Sequence, residues 1–112
     1  MQYLQQLYFQ RQLQLLHFQF LRSNDFVLKQ GLNHPDPCFR FAAALAIGKK
    51  NRPFHEELIL LLEDNDGYVR QASRYSLYLL SEGQDFGPLP GTSYEQLEKS
   101  IVAWKEYFKQ TD

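Results

Sequence analysis

The segment Asp36-Pro37-Cys38-Phe39-Arg40-Phe41-Ala42-Ala43-Ala44-Leu45-Ala46-Ile47-Gly48 returns in degraded form thirty residues later. The second copy reads Asp66-Gly67-Tyr68-Val69-Arg70-Gln71-Ala72-Ser73-Arg74-Tyr75-Ser76-Leu77-Tyr78. A helical unit recurring at this period cannot bury its own apolar face and has to lean on a neighbour. The offset reaches beyond the two segments: Leu28 corresponds to Leu58 and Leu32 to Leu62. Run backwards, it sets Phe9 on Phe39 and Leu15 on Leu45, without the Asp-Pro entry.

The local signals predict helices throughout. Residues 3–21 hold neither Gly nor Pro, and Leu4, Leu7, Phe9, Leu13, Leu16 and Phe20 form a helical stripe that Tyr3, Tyr8, Leu15, Phe18 and Leu21 widen. So broad an apolar side calls for contact on more than one flank. Ser23 or Asn24 caps a short helix from Asp25 to about Gln30, with Gly31 near its end. Asp36 caps the next helix, 37–49, with Pro37 at a first position where a missing N–H costs nothing. Ala42, Ala43, Ala44 and Ala46 keep that helix thin. Further helices are expected at 54–62 and 67–80. The run Gly83, Gly87, Pro88, Pro90, Gly91 makes 81–91 the longest loop. Thr92 or Ser93 starts a last helix, and Ser93 with Gln96 matches a capping box.

The Asp-Pro turn, the apolar-Arg pair and the Ala/Leu-rich helix of residues 36–48 resemble the HEAT-repeat pattern, and in particular the short HEAT-like units of phycobilisome lyases. The likeness covers residues 24–80. Gly83-Gln84-Asp85-Phe86-Gly87 followed by Trp104 resembles the end of certain bacterial HEAT-repeat proteins, in which a final helix closes the stack. The resemblance implies an all-α chain: a right-handed, short α-solenoid of three antiparallel helix pairs with an aromatic C-terminal capping helix. One domain, 1–112, then comprises an N-terminal pair (3–31), a central repeat (36–62), and a third repeat helix (67–80) with loop 81–91 and capping helix 92–109.

Bulk properties narrow the function classes. A chain of 112 residues, 44% hydrophobic and 15% aromatic, has material for one modest core rich in Phe and Tyr. A net charge of -1 gives no general case for nucleic acid or an anionic membrane, so neither is expected as a partner. The sign drifts from +4 over residues 1–50 to -3 over 81–112, which can steer a partner or support head-to-tail contact. Cys38 is alone, which excludes an internal disulfide and fits a reducing, cytoplasmic setting. The start Met1-Gln2-Tyr3-Leu4 lacks a basic n-region and does not read as a signal peptide.

Candidate residues divide into structural and partner-facing sets. Arg40 and Arg70 lie four residues after Asp36 and Asp66, a helical spacing that puts each guanidinium within reach of its capping carboxylate. The resemblance implies that such Asp and Arg residues link neighbouring repeats as a structural ladder. Cys38 in a first helical turn, where the macrodipole favours a thiolate, could have His34 as its base, but Pro35 separates them and no third residue orients the pair. His17, His34 and His55 lack metal-site spacing, and Asp64-Asn65-Asp66-Gly67 lacks the ligand series of a calcium loop. No cofactor or metal is expected. Lys49, Lys50 and Arg52 form a small basic turn open to a partner, while Trp104, Tyr107 and Phe108 share one helix side as a packing cap. Tyr68 and Tyr78 are the aromatics best suited to an exposed binding patch.

The expected function is non-enzymatic: a protein–protein interaction scaffold or adaptor presenting a rigid helical surface. Helix 3–21 adds the expectation of self-association or of packing against preceding repeats. Two alternatives stand beside it: an enzyme or accessory of the bilin-lyase kind, in which Cys38 would matter, and a structural C-terminal cap of a longer repeat array.

Overall fold

The computed structural model describes residues 2–111, with side chains from Phe9 to Gln110. It is all-α. The helices are α1 (Gln2–Leu21), α2 (Asp25–Leu32), α3 (Pro37–Lys49), α4 (His55–Leu60), α5 (Gly67–Leu80) and α6 (Tyr94–Thr111), and a 3₁₀ turn (Leu61–Glu63) continues from α4. Among the described residues there is no strand. The expected caps start these helices. Asn24 Oδ1 accepts from the Val27 N–H (3.0 Å), Asp36 from Cys38 (2.9 Å), and Asp66 from Tyr68 and Val69 (2.9 and 3.1 Å). Ser93 Oγ accepts from the Gln96 N–H at 3.2 Å.

Helix α3 is the centre of the packing. It lies against α1 on one side, α5 on the other and α2 beneath, while α4 packs on α5 and α6. The fully buried layer between them is Leu28, Ile47, Leu58, Leu62 and Leu77 with the alanines of α3. The shortest dimension of the molecule is 24 Å, about two helix diameters. Alanine on α3 permits this closeness because it holds the helices apart by one methyl group only.

Two glycines expected to mark helix ends do something else. A Cβ on Gly31 would lie 2.7 Å from the Phe20 ring and 2.8 Å from Ala43 Cβ, so α2 runs on through Gly31 to Leu32 and the glycine lets α1, α2 and α3 converge. A Cβ on Gly48 would lie 2.7 Å from Ser76 Cα, and here the glycine admits the backbone of α5. The left-handed position after α3 is Asn51, with φ 55°.

The broad apolar side of α1 is only partly used. Leu16 and Phe20 pack on the core, Phe20 meets Phe39 edge-on at 6.4 Å, and His17 Nδ1 reaches the Ala42 carbonyl at 3.4 Å. Phe9, Leu15 and Phe18 are each about half exposed, with the Arg22 guanidinium 4.4 Å above the Phe18 ring. The expected contributions of Tyr3, Leu4, Leu7 and Tyr8 lie outside the described side chains.

At the other end α6 secures the long loop. Trp104 is fully buried, its Nε1–H donates to the Gly87 carbonyl at 2.7 Å, and Phe86 meets it edge-on at 4.8 Å. The Tyr107 hydroxyl donates to the Ser81 carbonyl at 2.9 Å, and Phe108 stacks on His55 at 4.6 Å. The three aromatics therefore share one helix side, as their spacing predicts, and hold the loop and α4 together.

Candidate functional site

Side chains that differ between the two sequence copies build the candidate surface on α5. On α3, the side carrying Ala44 and Gly48 receives α5: the Ser76 hydroxyl donates to the Ala44 carbonyl, and Ser76 fills the space over Gly48. Thirty residues on, these two positions are Arg74 and Tyr78. Residues two apart on a helix diverge by about 200°, so with Ser76 turned into α3, Tyr78 and Arg74 point away from it. The far side of α5 thus carries Tyr68 (77% exposed), Tyr75 (47%) and Tyr78 (41%). Tyr75 and Tyr78 stack with centroids 6.3 Å apart. Beside them a depression of about 330 Å³ is lined by Gln71, Arg74, Tyr75, Tyr78 and Asp85.

Arg74 and Asp85 fix the border of this face. The guanidinium pairs with both carboxylate oxygens of Asp85 at 3.0 and 2.6 Å, and the Gly87 N–H donates to the same carboxylate at 3.0 Å. The Arg74 hydrogen bonds hold the Asp85 carboxyl below its ordinary range against the opposing effect of desolvation, with the Gly87 amide helping. The start of the loop is therefore strapped to α5, leaving the tyrosines uncovered. Tyr78 and Tyr68 were legible as candidates; Tyr75, Arg74 and Asp85 belong with them and become visible only once the packed side of α5 is known.

The arginine ladder uses a different acid from the one its spacing suggests. Arg40 does not pair with Asp36, nor Arg70 with Asp66; both aspartates spend their carboxylates on helix-starting N–H groups. Arg40 instead reaches forward to Asp64, Nε to Oδ2 at 2.9 Å and Nη2 to Oδ1 at 3.1 Å, with Asn65 Oδ1 at 3.3 Å. It also donates to the carbonyls of His34 and Pro35, each at 2.8 Å. The side chains of this pair are 14% and 9% exposed, so leaving one partner alone would strand a nearly buried charge at a cost of about 3–5 kcal/mol. Arg70 repeats only half of the pattern: it donates to the Asp64 carbonyl at 2.8 Å, six residues back, as Arg40 does to His34. Among the described residues no carboxylate lies within ion-pair distance of Arg70.

The basic turn is engaged within the chain. Lys49 Nζ donates to His17 Nε2 at 3.1 Å, Lys50 Nζ to the Ser23 carbonyl, and Arg52 pairs with Asp25 at 2.6 and 2.8 Å. These cations tie the end of α3 to the junction of α1 and α2 and do not form an open patch.

The thiol chemistry expected of a first helical turn is likewise absent. Burial pushes the Cys38 thiol up, and the charge and hydrogen bond of Asp36, then the charge of Asp66, push it further. The neighbouring acids thus outweigh the helix dipole, and the group stays protonated at neutral pH. His34 is committed elsewhere: its ring stacks on Phe39 at 3.9 Å and Nδ1 accepts the Asp36 N–H at 2.9 Å. The oxygens of Asp64, Asn65 and Asp66 all accept from protein donors. Among the described residues no three His, Cys, Asp or Glu side chains gather as a metal site, and no helix is long and apolar enough to cross a membrane.

No protein-family model, curated protein or solved structure matches this chain.

Proposed function

We propose that this chain is a non-enzymatic protein-interaction scaffold, built as one short HEAT-like solenoid of three helix pairs over residues 1–112 and closed by α6 as its aromatic cap. The observation that carries the reading is the exchange of Ala44 and Gly48, which receive a helix, for Arg74 and Tyr78, which do not. The small residues that would admit another helix are gone from the far side of α5, and three exposed tyrosines stand there instead. Tyrosine combines large contact area with a hydroxyl handle and few rotatable bonds, which suits a docking face that loses little entropy on binding. The face sits on a helix anchored in the core through Val69, Ala72, Ser73, Ser76 and Leu77, so the surface is pre-formed.

A second reading applies to the opposite end. Phe9, Leu15 and Phe18 leave an apolar side of α1 half uncovered, which favours contact there with a second subunit or with preceding repeats of a longer array. The lyase-like reading has lost its main support, because Cys38 and His34 are neither activated nor paired.

Affinity capture with the intact chain and with a Tyr68→Ala/Tyr78→Ala form tests the main proposal. The double variant should keep its unfolding midpoint and lose the captured partners. Recovery of the same partners at the same strength would remove the tyrosine face from consideration.

A further inference from the structure

Arg70 is a ladder rung with its acid missing. In the first copy the guanidinium of Arg40 takes a carbonyl six residues back and then the carboxylate and amide oxygens of Asp64 and Asn65 from the next inter-helix turn. Arg70 takes the matching carbonyl, and there the chain stops supplying partners. The residues thirty positions beyond Asp64 and Asn65 are Tyr94 and Glu95. Tyr94 brings no charge, and Glu95 sits in the first turn of α6 with its carboxylate 3.6 Å from Lys99.

The place where an acid would enter is open. A cleft of about 390 Å³ runs between the start of α5 and the segment Pro88–Tyr94, with Arg70 and Gly67 on one wall. Gly67 stands where the first copy has Pro37, and a Cβ there would come within 3.3 Å of Arg70 Nη2. Gln71 lines both this cleft and the depression beside the tyrosines, so the two are continuous. Glu63 and Asp64 also line the cleft; the Asp64 carboxylate is held by Arg40, which leaves Glu63 as the opposing charge.

We infer that the Arg70 cleft is a carboxylate-recognition site for an acidic segment of a partner protein, whose aspartate completes the rung as Asp64 does for Arg40. The inference rests on the scaffold reading and names the chemistry of the partner. A second copy of this chain stacked head to tail would not fill the rung, because the corresponding positions of its leading unit are Leu4 or His34. A planar guanidinium with two open N–H edges favours a carboxylate held in bidentate fashion over a single point charge.

The test uses the full chain and an acetylated, amidated peptide copying residues 61–68, which contains the chain's own rung-filling turn. The readout is the Arg70 Nε–Hε resonance together with the amides of 67–71 and 88–97. Saturable shifts should appear with a dissociation constant of about 1 mM, the weak end for a short peptide. Replacing the Asp64-equivalent of the peptide by Asn should weaken binding about tenfold, and Arg70→Lys by a similar factor, since both remove the bidentate pair. Glu63→Gln should tighten it by removing the opposing charge. Arg70→Lys also gives up a bond to the Asp64 carbonyl, so its unfolding midpoint is measured alongside. The Asn peptide on the native chain needs no variant at all.

No saturable shift at Arg70, equal binding of the Asn peptide, or acetate shifting Arg70 as strongly as the peptide would each overturn the site. The scaffold reading fails separately, in the capture experiment with the tyrosine variant. Peptide binding that survives in that variant distinguishes the two.

Discussion

Gly48→Ala isolates the contact on which the α3–α5 packing depends. The added methyl would lie 2.7 Å from both Ser76 Cα and Cβ, where carbon atoms in good contact stand about 3.5–4.0 Å apart. Its nearest obstacle is backbone, so a side-chain rotation cannot relieve it; α5 has to withdraw by roughly 1 Å. Withdrawal weakens the buried Ser76 to Ala44 hydrogen bond, worth about 1 kcal/mol, in a layer where Ala44, Ala72 and Leu77 are all buried. Overpacking adds about 1–3 kcal/mol, and the better helix propensity of alanine returns about 1 kcal/mol. The expected net loss is about 1–3 kcal/mol, or a fall of roughly 5–15 °C in the thermal midpoint for a domain of this size. Tyr78→Ala changes the same repeat position in the second copy and should move stability by less than about 1 kcal/mol, because the ring is uncovered. Calorimetry and urea denaturation of both variants decide the matter. An unchanged or raised midpoint for Gly48→Ala would refute the close approach, and a large loss for Tyr78→Ala would mean that the far side of α5 is a packed surface.

Buried polar groups lead to three further expected outcomes. Ser73 Oγ is buried with no hydrogen-bond partner, so Ser73→Ala should raise stability by about 1 kcal/mol in urea denaturation. Trp104→Phe leaves the Gly87 carbonyl without its donor and shrinks a fully buried ring, and should cost at least about 2 kcal/mol by the same assay, with faster amide exchange at Phe86 and Gly87. His17 titrates below its ordinary range because burial disfavours the imidazolium, with the Ala42 carbonyl opposing and the Lys49 charge reinforcing. The unfolded chain therefore binds a proton at about pH 6.5 that the folded chain refuses, and stability falls as pH drops through that value. Denaturation midpoints at about pH 7.5 and about pH 5.5 should differ more for the native chain than for His17→Gln.

The helices were legible because their signals are local. Asp36 with Pro37 starts α3, Asp66 starts α5, and the run of Gly and Pro over 83–91 ends regular structure, each through a few adjacent backbone groups. Glycine misled for the same reason: Gly31 and Gly48 look like helix stops in sequence, and only the helices crossing over them reveal that their small size is what the packing uses. Trp104, Tyr107 and Phe108 were readable as one side of α6, while the carbonyls of Gly87 and Ser81 that two of them bond could not be read from spacing.

The ion pairs show where local reading ends. An i, i+4 Asp–Arg spacing is attractive on any helix, yet in both copies the aspartate sits at the N-cap, where backbone N–H donors compete for it and win. Freed from that partner, Arg40 spans 24 residues to Asp64, and Arg52 spans 27 to Asp25. The same competition explains why Lys49, Lys50 and Arg52 form no open patch: each has an acceptor on the neighbouring helix junction. Arg70 obeys the rule that consumed the others but meets no carboxylate within ion-pair distance among the described residues. Its difference from Arg40 thus lies in the next repeat position along the chain, where Tyr94 stands in place of Asp64, and not in the arginine itself. A search by residue type would treat the two arginines alike; the repeat, used as an internal control, separates a satisfied structural pair from a group poised for an outside partner.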